Sequence, residues 1–431
     1  MKPRYSPQTF RRPRVMARPG LATPPLLATC GLLAPAFSAS GFEMRDLFAV
    51  SAGPVVLHPR MAVVSMYSDN VFYLPSDSPL EDLGLIESRD DFSFILSPGL
   101  NVRLGRPDGD NRIDFNFRYD QILYVENTQA DSGNYNFELN ATAKGARLTY
   151  DCRNSLQYLN SILSGYAATI EGIPIPSGNL ERYFVDLDHD FSYALSPKTR
   201  FLLGGLYRLR DYPGAELASR TYYNSDEWRA DGGLGYGLSE RIQLQTRVHY
   251  GQVSRDPVSD LVPTPPRADA VGGTLRLTGS LTPKLTGRIW GGYEYRWFSN
   301  DEEDDGYPVA GVDLTQRFTE KNSLTLGYDR GGSVSATALT TSSAVRDRFS
   351  LGFRQQLGTA NPWFVNLGVR YVRTEYLTSD LELDNFQVNA GVSRMLRSWL
   401  SVFANYAYEF GNRSNFDYDV NQVSLGLNLG Y

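Results

Sequence analysis

Three aspartates, Asp186, Asp188 and Asp190, recur at every second position, and two arginines, Arg208 and Arg210, follow at the same spacing. Carboxylates in such number could bind a metal, act as acid and base, or line a charged surface. Spacing decides among these. Side chains two apart on an extended strand point the same way. The three carboxylates would then form a stripe and diverge too far to wrap one ion, with no glycine-turned loop to help them. No metal site is expected. Arg247, Arg276, Arg288, Arg296, Arg354 and Arg370 sit on the polar parity of later segments, interrupted by Glu294 and Asp313. A turn over residues 197–199 would set Asp188 opposite Arg208 and Asp186 opposite Arg210, an acidic stripe beside a basic one. Opposed charges of this kind can orient polar or anionic solutes. They can equally satisfy one another and keep a wall wet.

Catalysis is poorly served. There are three histidines, His58, His189 and His249, and none has a nucleophile or carboxylate placed beside it by a local signature. His189 falls on the apolar parity between Asp188 and Asp190, and His249 on the polar parity. The chain has no His-Glu helix motif, no cysteine cluster and no phosphate-cradling glycine loop before a helix. Neither cofactor nor catalytic residue is expected.

The elements that must hold these charges share one grammar. In "NRIDFNFRYDQ", Ile113, Phe115, Phe117 and Tyr119 oppose Arg112, Asp114, Asn116, Arg118 and Asp120. "RIQLQTRVHY" and "NFQVNAGVS" alternate in the same way, giving strands of about ten residues with one oily and one polar face. Short turns recur: "LSPKT", "LSERI", "LTPKL", "FTEKN", "LGTANPW" and "LRSWL" begin at 195, 238, 281, 318, 357 and 396. Longer linkers rich in Asp, Ser, Pro and Gly lie between, at 74–88, 160–177, 213–220, 257–266, 299–306, 336–343 and 378–381. Each interval thus holds two strands, one tight turn and one longer loop, an iterated hairpin.

A soluble sandwich or solenoid would bury the oily face; a membrane barrel would turn it to lipid. Strands of about ten residues suit a tilted crossing of the hydrocarbon layer. The polar faces carry too much charge for a packed interior but suit a wet lumen. Aromatic residues gather near strand ends, as at Tyr293, Tyr295, Trp297 and Tyr406, Tyr408, Phe410. Closure would also remove exposed strand edges. The expectation is an all-β transmembrane up-and-down antiparallel β-barrel of about 18 strands, over residues 55–431.

The first forty residues differ. They carry six basic residues and no acid, then the apolar "GLATPPLLATCGLLAPAF" and the small residues Ser38, Ala39 and Ser40. Basic, then apolar, then small is the layout of a secretory signal, so residues 1–40 are expected to be a cleaved signal and 41–54 a short periplasmic lead. The whole chain has a net charge of −6, and losing that segment takes it to about −12. Nucleic acid is therefore not an expected partner. Cys152 would remain as a single thiol, unable to form an internal bridge.

The final segment, "VSLGLNLGY", alternates to its end. Leu427, Leu429 and Tyr431 share one parity, and an alternating last strand with a terminal aromatic resembles the assembly signal of bacterial outer-membrane barrels. That resemblance implies insertion by the barrel assembly machinery, with membrane lipid and lipopolysaccharide as surroundings. "LHPRMAVVSMYSDNVFY" at 57–73, followed by "SRDDFSFILSPGLNVRL" at 88–104, is similar to a family of outer-membrane β-barrel porins often associated with exopolysaccharide production or export. Its Asp-Asn-aliphatic-Phe segment matches Asp69, Asn70, Val71 and Phe72; its Ser-Pro-Gly-aliphatic segment matches Ser97, Pro98, Gly99 and Leu100. The resemblance implies a bacterial outer-membrane pore for polar solutes, with polysaccharide export components as conceivable partners. Its motifs name no cargo. The alternatives are a non-transporting structural or adhesive surface barrel and, behind it, an outer-membrane hydrolase. The acidic "NDEEDDG" run at 300–306 is expected in a solvated outer loop, where it could also bridge cations to lipopolysaccharide phosphates.

Overall fold

The alternating segments pair in chain order as antiparallel neighbours. The computed structural model describes residues 50–75, 87–106, 109–161, 179–213, 223–257, 267–299, 304–334, 343–359, 361–377, 382–413 and 416–430. The expected signal and most of the lead lie outside them. The strands are β1 Val50–Ala52, β2 Val55–Ser68, β3 Asp91–Leu104, β4 Asn111–Tyr124, β5 Ser132–Lys144, β6 Leu148–Ser161, β7 Leu180–Ala194, β8 Thr199–Asp211, β9 Tyr223–Gly237, β10 Ile242–Pro257, β11 Ala268–Ser280, β12 Leu285–Phe298, β13 Asp305–Thr319, β14 Asn322–Val334, β15 Ser343–Leu357, β16 Trp363–Tyr376, β17 Glu382–Arg397, β18 Leu400–Arg413 and β19 Phe416–Leu429. Strands β2 to β19 form a closed barrel of 18, because β19 returns to pair with β2. The barrel strands run to 13–16 residues rather than about ten. Alternation marks the membrane-crossing part, and the ladders continue beyond it. Among the described residues the one helical piece is a 3-10 turn, Thr128–Ala130.

Large apolar side chains stand exposed on one parity all round the barrel, among them Phe94, Leu123, Leu203, Val248, Leu275, Leu367 and Leu425. In a soluble protein such a surface would be an aggregation site; on a closed barrel it is the lipid-facing band of an outer-membrane protein. Tyrosines mark the band's edge at the long-loop end. Tyr250 donates to Asp269 (2.7 Å), Tyr328 to Asp347 (2.7 Å) and Tyr371 to Asp384 (2.6 Å). Tyr295 donates to Asp304 at 3.1 Å, which places the described end of the acidic run at this rim. Each ring keeps its body in the oily band and its hydroxyl on a carboxylate beyond it.

The closing seam is the shortest ladder between the 18 barrel strands, with eight register pairs from Met61↔Leu429 to Ser68↔Gln422. Both its ends are completed by other means. At the short-turn end, β1 pairs with the first residues of β2, so part of the expected lead is strand. At the long-loop end, residues 69–74 turn across the inside of the mouth. The Asp69 carboxylate accepts from the Asn421 N–H and from its side-chain amide, both at 2.7 Å. Asn70 Nδ2 donates to the carbonyls of Leu74 (2.7 Å) and Asp419 (3.0 Å), and its Oδ1 accepts from the Leu74 N–H (2.9 Å). Val71, Phe72 and Leu74 pack on Ala130 and Tyr124, while Tyr73 packs on Tyr418 and Val420. The Asp-Asn-Val-Phe motif is thus a clasp over the seam. The Ser-Pro-Gly motif is also structural. Pairing of β3 with β4 skips residues 97 and 98, where Pro98 lacks an N–H. Gly99 leaves room for the Arg60 side chain, whose Nε would lie 2.9 Å from an added Cβ.

Candidate functional site: the inner wall

The opposite parity of the strands carries the charge. Between β5 and β15 it lines a cavity of about 1190 Å³. Asp186, Asp188, Asp190, Arg208, Arg210, Arg247, Arg276, Arg288, Glu294 and Arg296 all line this cavity. Asp313 lies on the same face, bound to Arg288 Nε at 2.5 Å. Arg370 occupies an inward position of β16 opposite Ser350 and Gln387. Leu427 and Leu429 face outward against Val63 and Met61 at the seam. Tyr431 lies outside the described residues.

The hairpin β7–β8 corrects the expected register. Asp186 pairs with Arg208, and Phe184, not Asp186, pairs with Arg210. The connection has five residues, since the ladder ends at Ala194↔Arg200 and the Ser196 hydroxyl organises the turn by accepting from the N–H groups of Lys198 and Thr199. Two residues added to the turn slide the pairing by two residues and preserve which face each side chain takes. Asp186 still meets both arginines, Arg208 directly opposite at 3.4 Å and Arg210, on the diagonal, at 2.8 Å. Arg208 also reaches Glu227 at 3.2 Å, and Arg210 lies over the Phe184 ring, 4.7 Å from its centroid. Asp188 lies opposite Arg153 and Leu206 and makes no ion pair among the described residues.

Other charges also find partners beyond the neighbouring strand. Arg247 on β10 holds Asp231 on β9 at 2.7 Å and Asp190 on β7 at 2.8 Å. His249 on β10 meets Glu294 on β12 at 3.1 Å, passing over Gly272 of the intervening β11. A Cβ at 272 would lie 2.4 Å from His249 Cε1, so only glycine leaves the passage open. Glu294 further accepts from Arg296 at 2.8 Å and from the Tyr307 hydroxyl. The His–Glu contact thus joins Arg296 and Tyr307 in one hydrogen-bonded network.

Several inward charges escaped the sequence reading. Glu227, Arg229 and Asp231 share one parity within "SDEWRADGG", and Arg346 and Arg348 share one within "VRDRF". Their alternation is the same signal as in β7; the apolar parity beside them is diluted by Ala230, Gly232 and Asp347, which hid it. Trp290 also lines the cavity, an inward tryptophan that parity with Arg288 and Glu294 could have revealed.

No protein-family model matches the chain, and no curated protein resembles it in sequence. Solved structures are similar in shape at low identity. The chain matches OpdQ of Pseudomonas aeruginosa at 13% identity and TM-score 0.41, covering 87% of this chain and 97% of that one. It matches OccK2 (OpdF) of the same organism at 12% and 0.44, covering 86% and 97%. It matches the FrpB iron transporter of Neisseria meningitidis at 10% and 0.42, covering 82% and 62%. Likenesses this distant carry no information on cargo.

Proposed function

We propose that the barrel is an outer-membrane conduit for polar solutes. The observation that carries this reading is the cavity of about 1190 Å³, walled by charged side chains inside a closed barrel with an apolar exterior. A wall of this kind holds water and offers solutes a succession of charged partners. The apolar band is proposed to contact acyl chains, and the Tyr–Asp rim the polar headgroups, lipopolysaccharide among them. Insertion by the barrel assembly machinery is proposed from the alternating last strand.

The finer reading, support of exopolysaccharide export, rests on the Asp69–Asn70–Val71–Phe72 and Ser97–Pro98–Gly99–Leu100 resemblance. Loss of secreted glycan on deletion, restored by the wild type and not by a lumen-plugged variant, would support it. The surface-barrel alternative is favoured by one feature, the clasp of residues 69–74 across the mouth. Conductance in planar bilayers separates the two: discrete single-channel steps are expected, and a barrel that inserts without conducting would overturn the conduit.

A further inference from the structure

We propose that the inner wall of β11–β15 is a binding site for an anionic sugar, a pyranose carrying a carboxylate. The proposal rests on the conduit reading and names the solute class that its wall would hold. Five inward positions follow one another as cross-strand partners: Arg276, Trp290, Gly311, Asp329 and Arg348. All except Gly311 line the cavity. The row spans four strand steps, about 19 Å at ~4.8 Å per step, which suits an oligomer better than a single ring.

The two arginines of this row differ from their neighbours. Arg208, Arg210, Arg247, Arg288 and Arg296 each hold a carboxylate. Among the described residues, Arg276 and Arg348 make no hydrogen bond or ion pair; Arg348 has the Asp329 carboxylate as its cross-strand partner and acts on it by charge alone, so Arg276 is the less committed of the two. The acids whose charge acts on Arg276 are Asp190 and Asp231, and both are held by Arg247. Arg288 and Arg247 add like charge beside it. The cavity as a whole is lined by ten arginines and eight carboxylates, although the chain carries a net charge of −6. Surplus guanidinium facing a wet cavity is a site for a carboxylate, which its fork can bind bidentately.

Trp290 adds the second half of the specificity. Trp228, Trp297 and Trp363 alternate outward, whereas Trp290 is directly opposite Arg276 on the inner wall. Its indole lies against Gly311, where an added Cβ would stand 2.3–2.7 Å from Nε1, Cε2 and Cζ2. The ring therefore lies along the wall instead of projecting across the lumen, and it remains part of the cavity lining. A flat aromatic surface beside an uncommitted guanidinium fits a ligand with an apolar ring face and an acid group on the same ring.

The test uses the full barrel in planar bilayers, with trigalacturonate as the probe, and maltotriose and sulfate as its neutral and ringless counterparts. Trigalacturonate is expected to interrupt the current at concentrations at least tenfold below those needed for either counterpart. R276Q together with R348Q should abolish that advantage and lower the anion-to-cation permeability ratio. W290A should weaken the block about tenfold and leave the permeability ratio unchanged, a split that general loss of fold would not give. Equal block by sulfate, or block unchanged in R276Q/R348Q, would overturn the site. Should the barrel insert and fail to conduct, the conduit falls; a shift of Trp290-dependent fluorescence by trigalacturonate in detergent would still uphold the site, and its absence would overturn that too.

Discussion

Asp186 is the residue on which the β7–β8 charge ladder turns, since Arg208 and Arg210 both converge on it. Neutralising it leaves two guanidinium groups facing the cavity with less compensation. D186N is therefore expected to raise the anion-to-cation permeability ratio, and R208E with R210E to lower it; bi-ionic reversal potentials measure both. The pairs are partly exposed to lumen water, so little thermal destabilisation should accompany the change. Gly272 is the opposite case, silent in charge but sterically committed. G272V would put side-chain atoms where His249 crosses β11 to reach Glu294. Overpacking of this kind costs about 1–3 kcal/mol, read as a lower unfolding midpoint in urea and a barrel that loses its gel-shift resistance at a lower temperature.

The seam decides most at the level of elements. An open edge between β19 and β2 would leave unpaired backbone groups in hydrocarbon. The eight-pair ladder is extended at one end by β1 and at the other by the clasp. Asn70 is buried and makes three hydrogen bonds to backbone groups, one of them across the seam to Asp419. N70A removes these and strands the Leu74 N–H, at a cost of about 1–3 kcal/mol. Faster backbone amide exchange confined to β2 and β19 is the expected signature; exchange spread evenly over the barrel would show that the clasp does not act at the seam. The same segment packs on residues of β19 and β4, whereas the charged cavity is lined by residues of β5 to β15.

The molecule as a whole separates apolar and charged surface in the reverse sense of a soluble domain. Leu425 is 60% exposed on the outer face of β19. L425R is expected to destabilise the inserted barrel by about 2–4 kcal/mol if it lies near the bilayer midplane, whereas S424R, one residue along and facing inward, should insert normally and change only conductance. Folding into vesicles, monitored by the gel shift on heating, distinguishes the two. The strand count of about 18 was legible in the sequence, because apolar and polar residues alternate along each strand and turn residues punctuate them; the charges of β9 and β15 were not, because Ala230, Gly232 and Asp347 dilute the apolar parity beside them. Turn length was less legible. In "LSPKT" the Ser196 side chain recruits two further residues into the turn, and a hydroxyl's choice of partner is not written in the hydrophobic pattern.

Alternation along each strand determined by itself that this chain is all-β and that each strand has one oily and one polar face. Those properties are local, since a strand's pleat alone assigns each side chain to a side. That the oily face stays exposed followed only from closure of the barrel. Which charges meet, that His249 finds Glu294 across a glycine, that residues 69–74 clasp the seam, and that Arg276 remains uncommitted beside Trp290 were decided only by the closed barrel. Partners there lie one, two, three or seventeen strands apart in the chain, and their approach depends on register and on the room an intervening glycine leaves.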